Sequence, residues 1–339
     1  MKTKQVTGNS ELIRILRQEI EENGGIPFDQ YMSECLYHPL YGYYTSDKPK
    51  VGKSGDFYTS ASVGSLMGEM LAAYSVRSGW GSEQGLDIVE WGGGAGRMAN
   101  DFLDALQSEA EAVYDNVRYT CIEHSAYHRR LQRETCRRHL ARMRWLSADE
   151  WKRETAVSAG PLVLFSNELL DAFPVKRAVY RDGEWREIFV GWDHERGGFA
   201  ETERDPSPEL TAYLKEAASA PVPEGLQIEA CLQGLSWYAE TAGLLPSGSV
   251  VISIDYGGER SELHAAHRLN GTLLCYYRHQ AHDNPYIHIG EQDITADVNF
   301  SDYQETGIRA GMETLSYTTQ KQFLVEAGIL HRLQNHAIT

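Results

Sequence analysis

The run Glu90-Trp91-Gly92-Gly93-Gly94-Ala95-Gly96 carries residue types that could do chemistry. It follows an apolar stretch, Leu86-Asp87-Ile88-Val89, and opens a helical pattern, the context a nucleotide-binding turn needs. Gly92, Gly94 and Gly96 fall on alternate positions, which lets the backbone turn tightly and approach a ligand closely. Glu123 ends the next apolar run and is placed to accept hydrogen bonds from two ribose hydroxyls. Two ligands compete for this layout. NAD(P) needs a G-x-G-x-x-G pyrophosphate cradle at a helix N-terminus. Here the spacing is G-G-G-x-G, and Glu90 stands just before it. A carboxylate there repels a pyrophosphate and suits the cationic ammonium end of S-adenosyl-L-methionine (SAM), so SAM is the expected cofactor. The competing structural reading is a glycine-rich turn with no ligand.

Asn167, Glu168 and Asp171 follow a further apolar run, Pro161 to Ser166. Groups at the C-terminal end of a parallel strand face the ligand crevice. Glu168 and Asp171 are three apart, so a helical turn would put both on one face. They are candidates for orienting a methyl acceptor; the alternative is Asn167 as a helix cap and Asp171 as a solvated acid. Methyl transfer from a sulfonium is an in-line displacement that needs alignment and exclusion of water rather than a metal. Carboxylates there would hold a cationic acceptor and bias its charge. The N/D-P-P-Y tetrapeptide of amide and base-amino methyltransferases is absent at this place.

A second cluster is Asp56 with Gly55, Phe57, Thr59 and Ser60, read either as cofactor contacts or as a helix start capped by Thr59 or Ser60. Gly52-Lys53-Ser54 looks like the end of a P-loop, but Asp47 stands where the first glycine is required. Asp255-Tyr256-Gly257 ends another apolar run, as a pocket wall or as a plain turn. His264/His267 and His279/His282 have H-x-x-H spacing without further ligands, so no metal is expected.

These residues need elements to position them. Ser10 is expected to cap a helix over ELIRILRQEIEENGG, with Leu12, Ile13, Leu16 and Ile20 on one face and Gly24-Gly25 as the stop. Strands are expected at 86–91, 117–124, 143–146, 161–167, 249–258, 271–278 and 312–320, alternating with helices, which predicts an α/β class with a parallel sheet. Asp182-Gly183 between two alternating runs predicts a hairpin. Residues 193–223 read as a polar excursion. The expected plan is an N-terminal helical and loop segment over 1–80 that contributes to the cofactor site. A methyltransferase domain over 81–339 follows, with an insertion at about 176–245.

The chain of 339 residues carries 32 Lys and Arg against 48 Asp and Glu, a net charge of −16. That balance argues against nucleic acid or an anionic membrane as a partner, since both need a basic surface. It favours a basic partner, or simply keeps the protein soluble. The five cysteines are odd in number and form no C-x-x-C pair, so they read as reduced thiols. The N-terminus shows neither a signal nor a transit pattern, and no apolar window of ~18 residues is present. A cytoplasmic protein is expected.

Eight segments resemble the MidA-like family of class I SAM-dependent methyltransferases, in the family's order. They are GGIPFDQYMSECLYHPLYGYY, GDFYTS, VEWGGGAGRM, SNELLDAFPV, IDYGGE, GTLLCYYRH, DITADVNF and TQKQFL, spanning roughly Gly24 to Gly328. The family includes a mitochondrial protein arginine methyltransferase that assists respiratory complex I assembly. The resemblance implies a Rossmann-like, seven-stranded SAM methyltransferase sheet with a helical N-terminal segment and an inserted lobe. It also implies SAM contacts at GDFYTS, at the glycine loop, at Glu123 and around SNELLDA. Asp149 would meet the adenine amino group, and His279 would line the acceptor side with Asp255 and Tyr256. The implied partner is a protein bearing a target arginine. The alternative is a SAM-binding assembly factor with little or no catalysis. The chain departs from the family at Ala61-Ser62, where Pro-Glu is usual, at Met67, where an aromatic is usual, and at Asn299, where Asp is usual.

Overall fold

The computed structural model describes residues 6–45, 66–80, 85–157, 160–217, 221–330 and 332. Along the chain lie α1 (Ser10–Asn23), β1 (Ile26–Pro27), α2 (Phe28–Tyr37), α3 (Leu66–Arg77), β2 (Leu86–Trp91), α4 (Arg97–Glu109), α5 (Glu111–Tyr114) and β3 (Val117–Ile122). Next come α6 (Ala126–Thr135), β4 (Met143–Leu146), α7 (Ala148–Thr155), β5 (Val163–Asn167), β6 (Lys176–Arg181), β7 (Glu184–Asp193), β8 (Gly198–Arg204) and α8 (Pro208–Ala217). The rest are β9 (Gln227–Ala230), α9 (Leu232–Leu244), β10 (Val250–Ile254), β11 (Gly257–Gly258), α10 (Arg260–Leu263), β12 (Leu274–Tyr277), β13 (Gln280–His282), β14 (Asp293–Thr295), β15 (Val298–Asn299), α11 (Phe300–Arg309) and α12 (Gln320–Glu326). They divide into two units, one of Met1–Phe57, Leu170–Ala239 and Tyr256–Arg309, the other of Tyr58–Leu169, Glu240–Asp255 and Ala310–Thr339.

The second unit is built on a parallel sheet with strand order β10-β5-β2-β3-β4. Its strands are short apolar runs because parallel sheets are covered on both faces. Phe102 of α4, Tyr119 of β3 and Phe165 of β5 sit fully buried in its core with Leu71 of α3. The chain starts at β2, runs outward through β3 and β4, then returns to β5 and β10 on the other side. That reversal makes the C-terminal ends of β2 and β5 a topological switch point, where ligands of open α/β sheets bind. This sheet has five strands among the described residues, not seven. The stretch expected as the sixth supplies β12, which pairs antiparallel with β13 and β14 in the first unit. The stretch expected as the seventh is largely exposed and forms no strand over residues 312–319.

The first unit carries an antiparallel sheet in the order β1-β7-β6-β9, with β8 also pairing β7. The helix α1 begins one residue earlier than the Ser10 cap predicts: Asn9 Oδ1 accepts from the Glu11 and Leu12 amides, and Gly24 ends the helix at φ 67°. Leu12, Leu16 and Ile20 are buried, as the spacing predicts. The Asp182-Gly183 hairpin forms, with φ of 51° and 84° at the two turn residues. In its described residues the expected polar excursion is ordered structure. Strand β8 pairs along β7, and α8 buries Leu210 and Leu214 against Ile228. Its polar side chains hid the strand because β8 is an edge with one solvated face. All five cysteines are free thiols, four of them buried. No helix among the described residues is long and apolar enough to cross a membrane.

Candidate functional site

In a parallel sheet every C-terminal strand end lies on one edge, so that edge of the second unit collects the chemistry. It holds the glycine loop after β2, Glu123 after β3, Asp149 after β4, Asn167 and Glu168 at the end of β5, and Asp255 after β10. The loop alternates in handedness, with φ of 72° at Gly92, 50° at Gly94 and 78° at Gly96. Backbone bonds pin it: the Gly92 amide donates to Ile122 O at 3.0 Å and the Gly96 amide to Gly93 O at 2.9 Å. A Cβ added at Gly94 would have no heavy atom within 4 Å. The loop is therefore a cradle with open space above its middle glycine.

Glu123 is 9% exposed. Its Oε1 accepts from the Ser125 amide at 2.9 Å and its Oε2 from Gln132 Nε2 at 3.3 Å. Gln132 Nε2 also donates to Gly94 O at 3.0 Å, while Trp145 Nε1 donates to Gln132 Oε1 at 2.8 Å. One buried amide thus ties the glycine loop to the carboxylate. Arg129 fixes the same corner, donating from Nε to Glu123 O at 2.6 Å and from Nη2 to Leu146 O at 3.1 Å. Burial raises the Glu123 carboxyl above its ordinary range, and the Ser125 and His124 amides work against that rise. Sequence reasoning missed Gln132 and Arg129. They sit on a helix that reads as uniformly charged, and nothing in its pattern marks one amide as fully buried.

Glu90, expected to meet the cationic end of the cofactor, is a buried carboxyl. It is 3% exposed, lies beneath the loop, and accepts a hydrogen bond from the Tyr119 hydroxyl at 3.0 Å. Burial, opposed by that bond and assisted by Glu123, pushes its carboxyl up to about 7. Asp149 is exposed in the first turn of α7, where Ser147 and Glu150 form the capping box. Glu168 does not share a helix face with Asp171. Its φ of 51° breaks the chain direction, and the following 3-10 turn covers only Leu170–Ala172. The Glu168 amide donates to Ile254 O at 2.8 Å, and the Leu169 amide donates to Asp255 Oδ2 at 3.1 Å. Asp255 therefore fixes the backbone after β5.

Among the described residues, three expected site residues belong to the first unit. Asp171 is 6% exposed, and its carbonyl accepts from the Ala296 amide at 3.0 Å. Tyr256 is 49% exposed, and its carbonyl accepts from the Val298 amide. Arg278 and His279, with φ of 48° and 62°, form the two-residue turn between β12 and β13. Gly55, Asp56, Phe57, Thr59 and Ser60, with Ala61 and Ser62, lie outside the described residues.

The loop makes a stability prediction. A Cβ at Gly96 would lie 3.0 Å from Gln132 Cα and 3.3 Å from Cys136 Sγ. Gly96→Ala therefore adds a backbone clash to left-handed strain and should lower the free energy of unfolding by about 2–3 kcal/mol in urea titration. Gly94→Ala meets only the strain and should lose about 1 kcal/mol. Equal losses would contradict the packing described for Gly96.

Comparison with known proteins agrees with this geometry. A family model for S-adenosyl-L-methionine-dependent methyltransferases matches residues 70–318. The chain is 27% identical over 326 residues to the Drosophila melanogaster protein arginine methyltransferase NDUFAF7 homolog, mitochondrial, covering 88% of this chain and 70% of that one. It is 25% identical over 357 residues to the Danio rerio protein arginine methyltransferase NDUFAF7, mitochondrial, covering 96% and 78%. A crystal structure of a methyltransferase-superfamily member from Burkholderia thailandensis, bound to S-adenosyl-homocysteine (SAH), superposes with a TM-score of 0.85 at 30% identity, covering 98% of this chain and 86% of that chain. The expectation of a cytoplasmic protein is overturned by these curated relatives, which are named as mitochondrial. The absence of a transit pattern in the sequence was too weak a basis for a compartment.

Proposed function

The chain belongs to the family of SAM-dependent methyltransferases whose model matches residues 70–318, and on that premise we propose that it methylates an arginine nitrogen of a protein. SAM is its cofactor, and the residues present fit that group. The cradle at Gly92, Gly94 and Gly96 gives a close backbone approach, and the Glu123 carboxylate suits a ribose diol. Asp149, in the first turn of α7 just after β4, suits the adenine amino group. When bound, the cofactor supplies an activated methyl group on a sulfonium.

The observation that carries the acceptor reading is the strained carboxylate at the switch point. Glu168 holds a left-handed backbone at the exit of β5, beside the central strand β2, and backbone strain of this kind concentrates at functional sites. A carboxylate there would hold a guanidinium by charge-assisted hydrogen bonds, aim one nitrogen for in-line attack and favour departure of its proton. Within the second unit, Asn167 would assist in orienting the acceptor, and Asp255 would contact the substrate. The curated relatives are named for protein arginine methylation, and a chain of net charge −16 would draw a basic segment toward it.

The test is incubation of the purified protein with methyl-labelled SAM and an extract of cells lacking the protein, then acid hydrolysis. Label should appear in methylarginine. Label in another amino acid, or none in protein while SAM still binds, would overturn the arginine acceptor and favour an assembly role without catalysis.

A further inference from the structure

We infer that Tyr119 is a positioning residue of the cofactor site: through one buried hydrogen bond it holds the Glu90 carboxylate against Gly93 and so sets how tightly the glycine loop takes the cofactor. The inference rests on the cofactor and not on the identity of the methyl acceptor.

The geometry is specific. Tyr119 is fully buried in the middle of β3 and has no place on the loop itself. Parallel pairing sets Glu90 beside Cys121, and the two-residue period of β3 puts Tyr119 on the same face as Cys121. From there its hydroxyl donates to Glu90 Oε2 at 3.0 Å. The Glu90 carboxylate in turn presses on the loop. A Cβ added at Gly93 would lie 2.6 Å from Oε2 and 3.1 Å from Oε1, so the carboxylate fills the space beneath that glycine. Rotating Glu90 would remove the floor of the loop. The Tyr119 ring is itself held by Phe102 and Phe165, at centroid distances of 5.9 and 6.2 Å, so the hydroxyl is not free to wander.

Charge explains why the bond matters for binding. An ionised Glu90 favours a ligand with a cationic end, and a neutral one does not. The groups facing Glu90 are the Tyr119 hydroxyl, the Cys121 and Cys136 thiols and the Glu123 carboxylate. Burial lifts Tyr119 and Cys121 well above their ordinary ranges and Cys136 to about 12, so all three stay neutral near pH 7. Glu90 itself sits near 7, held down only by the Tyr119 bond against burial and Glu123. Removing that bond makes Glu90 harder to ionise and shifts the pH at which the loop accepts the cofactor upward.

The experiment is calorimetric titration with SAH from pH 6 to pH 8. Wild-type affinity should rise about tenfold across that range as Glu90 ionises. Tyr119→Phe keeps the ring packing; it should weaken SAH about fivefold at pH 7 and move the midpoint up. Glu90→Gln should bind weakly throughout, and the pH dependence left in it belongs to Glu123. In the Glu90→Gln background Tyr119→Phe should have almost no effect, since coupled residues are non-additive. Thermal melts of each variant check that the sheet is intact. An unchanged affinity and midpoint in Tyr119→Phe would overturn the inference. So would an equal loss in both backgrounds, which would mean a packing effect that bypasses Glu90.

Discussion

Glu123→Ala should weaken SAH binding about 10- to 100-fold in calorimetric titration, with the fold retained. The magnitude follows from losing charged hydrogen bonds to a ribose diol, about 1.5–3 kcal/mol. The structure adds a reason to expect the upper half of that range. Glu123 also accepts from Gln132, whose amide reaches Gly94 O. Truncating the carboxylate leaves that amide with one anchor fewer and loosens the loop it holds. Stability should fall by only about 1 kcal/mol, because Ser125 Oγ still caps α6 at the His128 amide. Glu123→Gln is the control. It keeps an acceptor of the same shape, and its affinity should lie between the two. Wild-type affinity in Glu123→Ala would take Glu123 out of the cofactor site.

The placement of the glycine turn and of Glu123 on the sheet was legible in the sequence, because it is backbone geometry written as residue type. Alternating glycines after an apolar run force the turn, and an acid at the next strand end must lie on the same sheet edge. The second layer was not legible. Gln132 and Tyr119 act through burial, and burial depends on which helix and strand they meet. The same limit shows in Glu90, whose position in the motif suggested a partner for a cationic ligand and gave no sign of its burial. Its real surroundings are set by β3 across the ladder. The sheet was read correctly as parallel but too wide. The runs at 271–278 and 312–320 have strand composition, yet composition does not say which sheet a strand joins or whether it pairs. The hairpin at Asp182-Gly183 succeeded because its turn chemistry is local. The spacing argument for Glu168 and Asp171 failed because it assumed a helix where the chain turns left-handed.

That left-handed turn gives the sharpest test of the acceptor site. Glu168→Gln keeps the backbone and removes the charge. It should bind SAH within about twofold of wild type and lose about 10²–10³-fold in turnover, the usual effect of removing one electrostatic contact to the reacting group. Glu168→Gly should lose turnover to a similar degree for a different reason. Glycine adopts φ of 51° without strain, so this variant should be more stable than wild type by about 0.5–1 kcal/mol in urea titration. A residue kept for the fold would show the reverse, with activity intact and stability lost on truncation. If both variants turn over at the wild-type rate, the strain belongs to the β5 exit alone, and the proton must leave the acceptor by another group. A gain in stability together with a loss of turnover would identify Glu168 as a place where the fold carries strain for the sake of chemistry.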